Sequence, residues 1–126
     1  MKQVIDSSVV LAFLRDEPGG DVLVRDDGPF LLSTVNLAEV LTKLVERGLS
    51  IDDADLVLRR LPIVHVDHTR DDARRAAELR PVTMSLGRSL GDRICLALGQ
   101  REDIPVLTAD TAWAELDLGI DVRLIR

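Results

Sequence analysis

The sequence predicts an α/β fold, a sandwich of helices against a mainly parallel central sheet. Short apolar runs of strand length alternate with longer stretches of helical spacing along the whole chain. Acidic residues lie at or shortly after the ends of two of the predicted strands, the position at which parallel sheets form their sites. The 126 residues are expected to form a single domain, residues 1–126, large enough to fold without disulfide or metal staples.

In the first half of the chain, turns rich in Gly, Pro and Asp separate the predicted elements. A strand ends at Ile5, and a helix follows over Val9–Leu14. A second strand, Phe30–Leu32, leads into a helix that Ser33 caps and Gly48 ends. The apolar stripe of this helix consists of Leu37, Val40, Leu41 and Leu44.

The second half continues the alternation. Ser50 caps a helix that runs to Leu61, and Pro62 ends it. The other predicted elements are a strand over Ile63–Val66, a helix over Thr69–Leu79 stopped by Pro81, a strongly apolar helix over Ser89–Gly99, a strand over Pro105–Leu107, a short helix over Asp110–Leu116 and a closing strand over Asp121–Ile125.

The charge distribution gives a divided prediction about nucleic acid. A net charge of −6 argues against a phosphate-binding partner. Residues 73–101, however, hold six arginines against two acids, a net charge of +4. These arginines are either ordinary solvated helix faces or a flank that contacts phosphate beside an acidic centre.

The cysteine content and the apolar runs of the sequence bear on where the protein acts in the cell. The single cysteine, Cys95, lies in an apolar run and is expected to be a buried, unreactive thiol. No signal peptide opens the chain, and no apolar run is long enough to span a bilayer. A cytoplasmic protein with no membrane partner is therefore expected.

Two candidate site residues follow predicted strands. Asp6 comes directly after the first strand, and Asp110 comes shortly after the strand that ends at Leu107. Both positions suit a helix N-cap. Both also suit a site at the carboxyl edge of a parallel sheet. The residues alone leave both interpretations open.

Asp92 and Glu39 lie on predicted helices. Asp92 shares its helix face with apolar residues one turn on, so its carboxylate is expected to be partly buried and to need a partner. That partner is either the helix N-terminus, since Ser89 and Asp92 have capping-box spacing, or a metal cation. Glu39 points away from the apolar stripe of its helix, which suits a solvent-facing residue paired with Lys43.

Together the four acids favour a hard divalent cation such as Mg²⁺ or Mn²⁺, which prefers oxygen ligands. The only histidines are His65 and His68, and no Cys/His cluster exists, which argues against zinc. A glycine-rich phosphate loop and a serine-triad arrangement are both absent from the sequence.

Four motifs resemble those of the PIN-domain family. Val4–Leu11 has its strand-Asp-Ser opening, and Ser33–Val40 resembles the motif that carries its Glu. Ser89–Asp92 is similar to its small-residue turn with Asp at a helix start, and Val106–Asp110 to its strand-Thr-x-Asp motif. The motifs occur in the family's order over essentially the whole chain, and the compact length further resembles VapC-type toxins of bacterial toxin–antitoxin pairs. Each motif is weak alone, whereas the ordered set is fairly specific.

The resemblance implies a PIN-like fold, a three-layer α/β/α sandwich with a mainly parallel central sheet. It implies an endoribonuclease with one or two Mg²⁺ or Mn²⁺ ions. It also implies an RNA substrate, a homodimer and a cognate antitoxin that covers the active site. The acids it assigns to catalysis and metal binding are Asp6, Glu39, Asp92 and Asp110. Ser8 and Thr108 are expected to hold carboxylates in place. Arg93 departs from the family pattern, which more often has a small residue there, and would crowd the pocket or contact substrate phosphate.

Two other functions are weighed against this one. A phospho-accepting receiver domain has similar length and element order. It needs an acidic pair after the first strand, but here Ser7 follows Asp6. It also needs a lysine late in the chain, but the only lysines are Lys2 and Lys43. The other is a catalytically weak PIN-like module that only binds RNA. Four intact carboxylates argue against it, and Arg93 is the residue that favours it.

Overall fold

A parallel sheet of five strands forms the centre of the molecule in a computed structural model, which describes residues 1–84, 89–115 and 117–126. The strands, in chain order, are β1 (Gln3–Ile5), β2 (Phe30–Ser33), β3 (Ile63–Val66), β4 (Val106–Thr108) and β5 (Val122–Leu124). Their order across the sheet is β3-β2-β1-β4-β5, and each neighbouring pair is parallel. The predicted fold class is confirmed.

Helices cover both faces of the sheet. They are α1 (Ser7–Leu14), α2 (Val22–Arg25), α3 (Thr34–Glu46), α4 (Ile51–Arg59), α5 (Arg70–Glu78), α6 (Arg80–Thr83), α7 (Leu90–Glu102) and a 3-10 helix (Thr111–Glu115). Within the described ranges, none of the helices has the length and apolar character that crossing a membrane requires.

Alternation along the strands builds two cores. Val4, Leu31 and Val106 face the core under α5 and α7. Their neighbours Ile5 and Leu107 face the other core, which is closed by α1, α2, α3 and α4. Successive strand residues point to opposite faces, so runs that are apolar throughout fit a sheet covered on both sides.

The strand order reverses between β1 and β4. From β1 the sheet continues through β2 and β3 on one side, and through β4 and β5 on the other. A crevice opens at such a point beyond the carboxyl ends of the strands. Asp6 directly follows β1, and Asp110 lies two residues after β4. The fold therefore places both acids at this crevice.

Polar contacts join α5 to α7. Asp72 forms a capping box with Thr69 at the start of α5 and lies 3.3 Å from Arg101 Nη1 on α7. Arg93 Nη1 donates to the carbonyl of Ala76, 3.0 Å away. The two arginines of α7 thus contact α5. Phosphate contact by the basic stretch stays a prediction. Arg88, another member of the basic stretch, lies outside the described residues.

Several predicted boundaries shift. Pro81 does not simply stop a helix, because it stands in the first turn of α6, where its missing N–H is not needed. Helix α7 continues to Glu102, past the predicted end at Gly99, and Asp103 ends it in the left-handed conformation with φ 53°. Helix α2 was not predicted. Leu116, the predicted end of the last short helix, lies outside the described residues.

Candidate functional site

A cleft of about 240 Å³ lies at the carboxyl edge of the sheet. The acids that line it are Asp6, Glu39, Asp92 and Asp110. They come from four separate parts of the chain: the β1–α1 junction, α3, the first turn of α7 and the residues after β4. The structure thus places all four sequence-predicted acids around one space.

Asp6 is the most deeply buried of these acids, with 5% of its surface exposed. Its Oδ1 accepts hydrogen bonds from the Ser8 hydroxyl and, at 3.3 Å, from the backbone N–H of Val9. Its Oδ2 accepts from Thr108 Oγ1 at 2.9 Å. Asp6 is therefore both the N-cap of α1 and a member of the cleft, so its two interpretations are compatible.

Burial raises the pKa of the Asp6 carboxyl from 3.8 to about 6. The hydrogen bonds from Ser8, Thr108 and Val9 lower it, but by less than burial raises it. The nearby charge of Asp92 adds a smaller upward contribution. Asp6 is thus a carboxylate whose ionised form is costly until positive charge comes near.

Ser8 and Thr108 connect Asp6 to the segment that carries Asp110. Ser8 Oγ accepts from the backbone N–H of Ala109 at 2.9 Å, and Thr108 Oγ1 accepts from that of Asp110 at 3.0 Å. Asp110 Oδ1 in turn accepts from the N–H of Ala112 at 3.0 Å, which starts the 3-10 helix. Because each hydroxyl bonds to both segments, the two strand ends are held at a fixed separation.

Asp92 takes part in the capping box that its spacing with Ser89 predicted. Ser89 N donates to Asp92 Oδ2 at 3.0 Å, and Asp92 N donates to Ser89 Oγ at 3.2 Å. The side chain is partly buried and still lines the cleft. As with Asp6, capping and site membership coexist, because the start of α7 points at the cleft.

Glu39 does not pair with Lys43 as the helical spacing suggested, since Lys43 Nζ lies 3.7 Å from Glu46 Oε2. Glu39 Oε1 instead accepts from Ser7 Oγ and from Asn36 Nδ2, each at 2.7 Å. Sequence reasoning missed both donors. The available signal was Asn36, a poor helix former three residues before Glu39 in an otherwise regular helix.

Cys95 lies on α7 and is completely buried. Its thiol pKa is raised well above 9.0, first by burial and then by the negative charges of Asp6, Asp92 and Glu39. The Cys95 thiol thus lies close enough to three of the four acids for their charges to raise its pKa. Their mutual repulsion favours a bound cation.

The PIN domain sequence profile matches residues 4–118, a span that contains all four acids and all four motifs. The chain belongs to the PIN domain family. The resemblance drawn from the motifs is therefore confirmed, and the receiver-domain interpretation is wrong.

Solved structures agree with this PIN fold. A toxin–antitoxin complex from Klebsiella pneumoniae is 17% identical, with a TM-score of 0.77 and 98% of each chain covered. VapBC-5 from Mycobacterium tuberculosis, a member of the VapBC toxin–antitoxin family, is 27% identical, with a TM-score of 0.65 and coverage of 99% of this chain and 98% of that one.

VapC20 from Mycobacterium tuberculosis, described as a toxin that cleaves the sarcin–ricin loop, is 16% identical, with a TM-score of 0.72 and coverage of 94% of this chain and 98% of that one. No functionally curated protein gives a significant sequence match.

The donor chemistry of this PIN domain fits a hard divalent cation, because the cleft gathers carboxylates and hydroxyls around a buried acid of raised pKa. Among the described residues, no three His, Cys, Asp or Glu side chains are already arranged to hold one ion together. Shared ligation would therefore need side-chain rotation or intervening water.

Proposed function

We propose that this PIN domain is a metal-dependent endoribonuclease and the toxin of a type II toxin–antitoxin pair. The observation that carries the proposal is the convergence of Asp6, Glu39, Asp92 and Asp110 on one cleft at the point where the strand order reverses. The toxin–antitoxin complexes among the similar structures, and the RNA-cleaving description of VapC20, support the substrate class and the biological role.

The proposed reaction is hydrolysis of an RNA phosphodiester bond. When bound, Mg²⁺ or Mn²⁺ supplies positive charge at the scissile phosphate and makes water a stronger acid. Asp6, Asp92 and Asp110 are proposed as the side chains nearest to the ion. Glu39 either binds through water or orients the attacking water, and Ser8 and Thr108 fix the Asp6 carboxylate.

We further propose that residues 1–126 act as one domain, that two copies form a homodimer, and that a cognate antitoxin covers the cleft. Support for the antitoxin comes from the similar structures, which include VapBC complexes. A binding-only module is the less favoured alternative. It depended on Arg93 obstructing the site, but Arg93 donates to Ala76 and is not among the residues that line the cleft.

The function is tested by incubating the purified protein with structured and unstructured RNAs in Mg²⁺, in Mn²⁺ and in excess chelator. We expect cleavage at defined positions with either metal and none with chelator. Thermal melting should show a higher midpoint with metal, because a ligand of the folded state alone stabilises it. RNA binding without cleavage and without metal stabilisation would favour the binding-only module and contradict the proposal.

Lys43 provides a separate prediction about substrate binding. It is the only basic side chain among the described residues that line the cleft, and it is half-exposed. Lys43→Gln is expected to weaken RNA binding severalfold and to reduce the slope of log affinity against log salt by about 0.7, the loss of one phosphate contact on a single strand. Binding measured across a salt series checks both.

Lys2→Gln is the matched control, because it removes the chain's only other lysine from an exposed position near the N-terminus. It should leave the affinity and the salt slope almost unchanged. An equal loss in both variants would mean that Lys43 acts only through net charge.

A further inference from the structure

Asn36 is a buried amide on a helix whose other polar side chains are more exposed. Only 1% of its surface is exposed, and its Oδ1 has no hydrogen-bond partner among the described residues. An apolar side chain would avoid this desolvation cost. The reason for an amide at this position must therefore lie in the hydrogen bonds that its nitrogen donates.

The Asn36 nitrogen bridges two helices. It donates to Glu39 Oε1 at 2.7 Å on its own helix, α3, and to the backbone carbonyl of Gly91 at 3.1 Å on α7. Both partners are acceptors, so the reversed amide would place oxygen against oxygen at both contacts. The network thus fixes the orientation of the amide.

We propose that Asn36 is the positioning residue that holds Glu39 in the cleft and fixes it relative to the start of α7, next to Asp92. Without these bonds Glu39 would be an exposed, rotamer-rich side chain, and ordering it would cost conformational entropy. Asn36 and Ser7 both donate to the same oxygen, Glu39 Oε1. Two donors to one carboxylate oxygen fix the orientation of the carboxylate before any ligand binds.

Gly91 completes the arrangement. A Cβ added at this position would lie 2.5 Å from Glu39 Oε2, so the carboxylate occupies the space that any other residue would fill. Glu39 therefore sits against the α7 backbone while Asn36 bonds to the carbonyl of the same glycine. The inference rests on the proposed nuclease function for its catalytic meaning, but its geometry can be tested without activity.

The first test uses the metal-free protein. Asn36 is the only asparagine in the chain, so isotope-labelled asparagine gives a single side-chain amide nitrogen signal in an NMR spectrum. We expect Glu39→Ala to shift this signal strongly. Thr42→Ala should leave it in place, because Thr42 lies on the same helix and bonds only to the backbone carbonyl of Ala38. A signal that Glu39→Ala does not move would overturn the proposal.

The second test is a double-mutant cycle on RNA cleavage. Asn36→Ala alone should lower cleavage about 10- to 100-fold and raise the metal concentration needed for half-maximal activity. In the Glu39→Ala background, the same change should cost less than about twofold. Equal losses in both backgrounds would show a merely structural role and overturn the proposal.

The two tests separate the two levels of inference. A protein that cleaves no RNA under any metal condition contradicts the proposed function, yet the amide signal still decides whether Asn36 holds Glu39. If the protein cleaves RNA normally but Glu39→Ala does not shift the Asn36 amide signal, only the positioning role is contradicted. Thr42→Ala serves as the folding and activity control in both experiments.

Discussion

Asp6→Asn should lower RNA cleavage by at least about 100-fold while making the metal-free protein more stable at neutral pH. The loss in activity should exceed the roughly 10- to 100-fold typical of losing a supporting partner, because Asp6 is proposed to lie beside the metal itself. The fold should persist, since asparagine has the shape of aspartate and can still accept from Ser8 and Val9. Cleavage assays and thermal or urea unfolding check the two effects.

The pH dependence of this gain follows from the raised pKa. Asp6 has a pKa of about 6 in the folded protein, against 3.8 ordinarily. Its contribution to stability is therefore fully present below pH 3.8 and is lost as the pH rises through about 6. This difference corresponds to about 3 kcal/mol at most. The stability advantage of Asp6→Asn should thus increase from about pH 4 to about pH 6 and level off by about pH 7, in the absence of metal.

Asp26→Asn is the matched control for charge. It removes the same charge from an exposed carboxylate whose pKa is lowered, chiefly by the backbone N–H of Gly28. It should give no gain in stability at neutral pH and no loss of cleavage. Asp92→Asn should lose cleavage as Asp6→Asn does. If either cleft variant cuts RNA at the wild-type rate with Mg²⁺, the assignment of these metal ligands is wrong.

Gly91→Ala is expected to lower cleavage by about 10- to 100-fold with little loss of stability. The added Cβ would collide with the end of the Glu39 side chain, which can rotate away from α7. This rotation relieves the collision but moves the Glu39 carboxylate out of its position in the cleft. The better helix propensity of alanine, about 1 kcal/mol, offsets part of the lost bonding. Activity per folded molecule and the unfolding midpoint together measure the effect.

Gly99→Ala should show the opposite pattern. It lies on the same helix, α7, but its added Cβ would come 2.3 Å from Val106 Cγ2 in the core. Overpacking there should cost about 1–3 kcal/mol and leave the activity of the folded fraction unchanged. If Gly91→Ala instead behaved like Gly99→Ala, with stability lost and specific activity kept, Glu39 would have no important position in the cleft.

The alternation of apolar strands and capped helices was sufficient to predict the sandwich and most of its elements. Ser33, Ser50 and Thr69 each cap a helix, as their side chains accept from a backbone N–H in the first turn. These signals are local, so they can be read from neighbouring residues. Helix α2 was missed because four residues are too few to show a period.

The site divides in the same way. By itself the sequence determined the four acids as candidates, through strand ends, a capping spacing and ordered motifs. Only the tertiary structure decided what surrounds them. It showed that Glu39 is bonded to Ser7 and Asn36 and not paired with Lys43, and that Arg93 reaches α5 and not the cleft. The physical reason is that the bond from Ser7 to Glu39 joins α1 to α3, and the bond from Arg93 to Ala76 joins α7 to α5. These residues lie far apart in the chain, and no local pattern encodes such pairings.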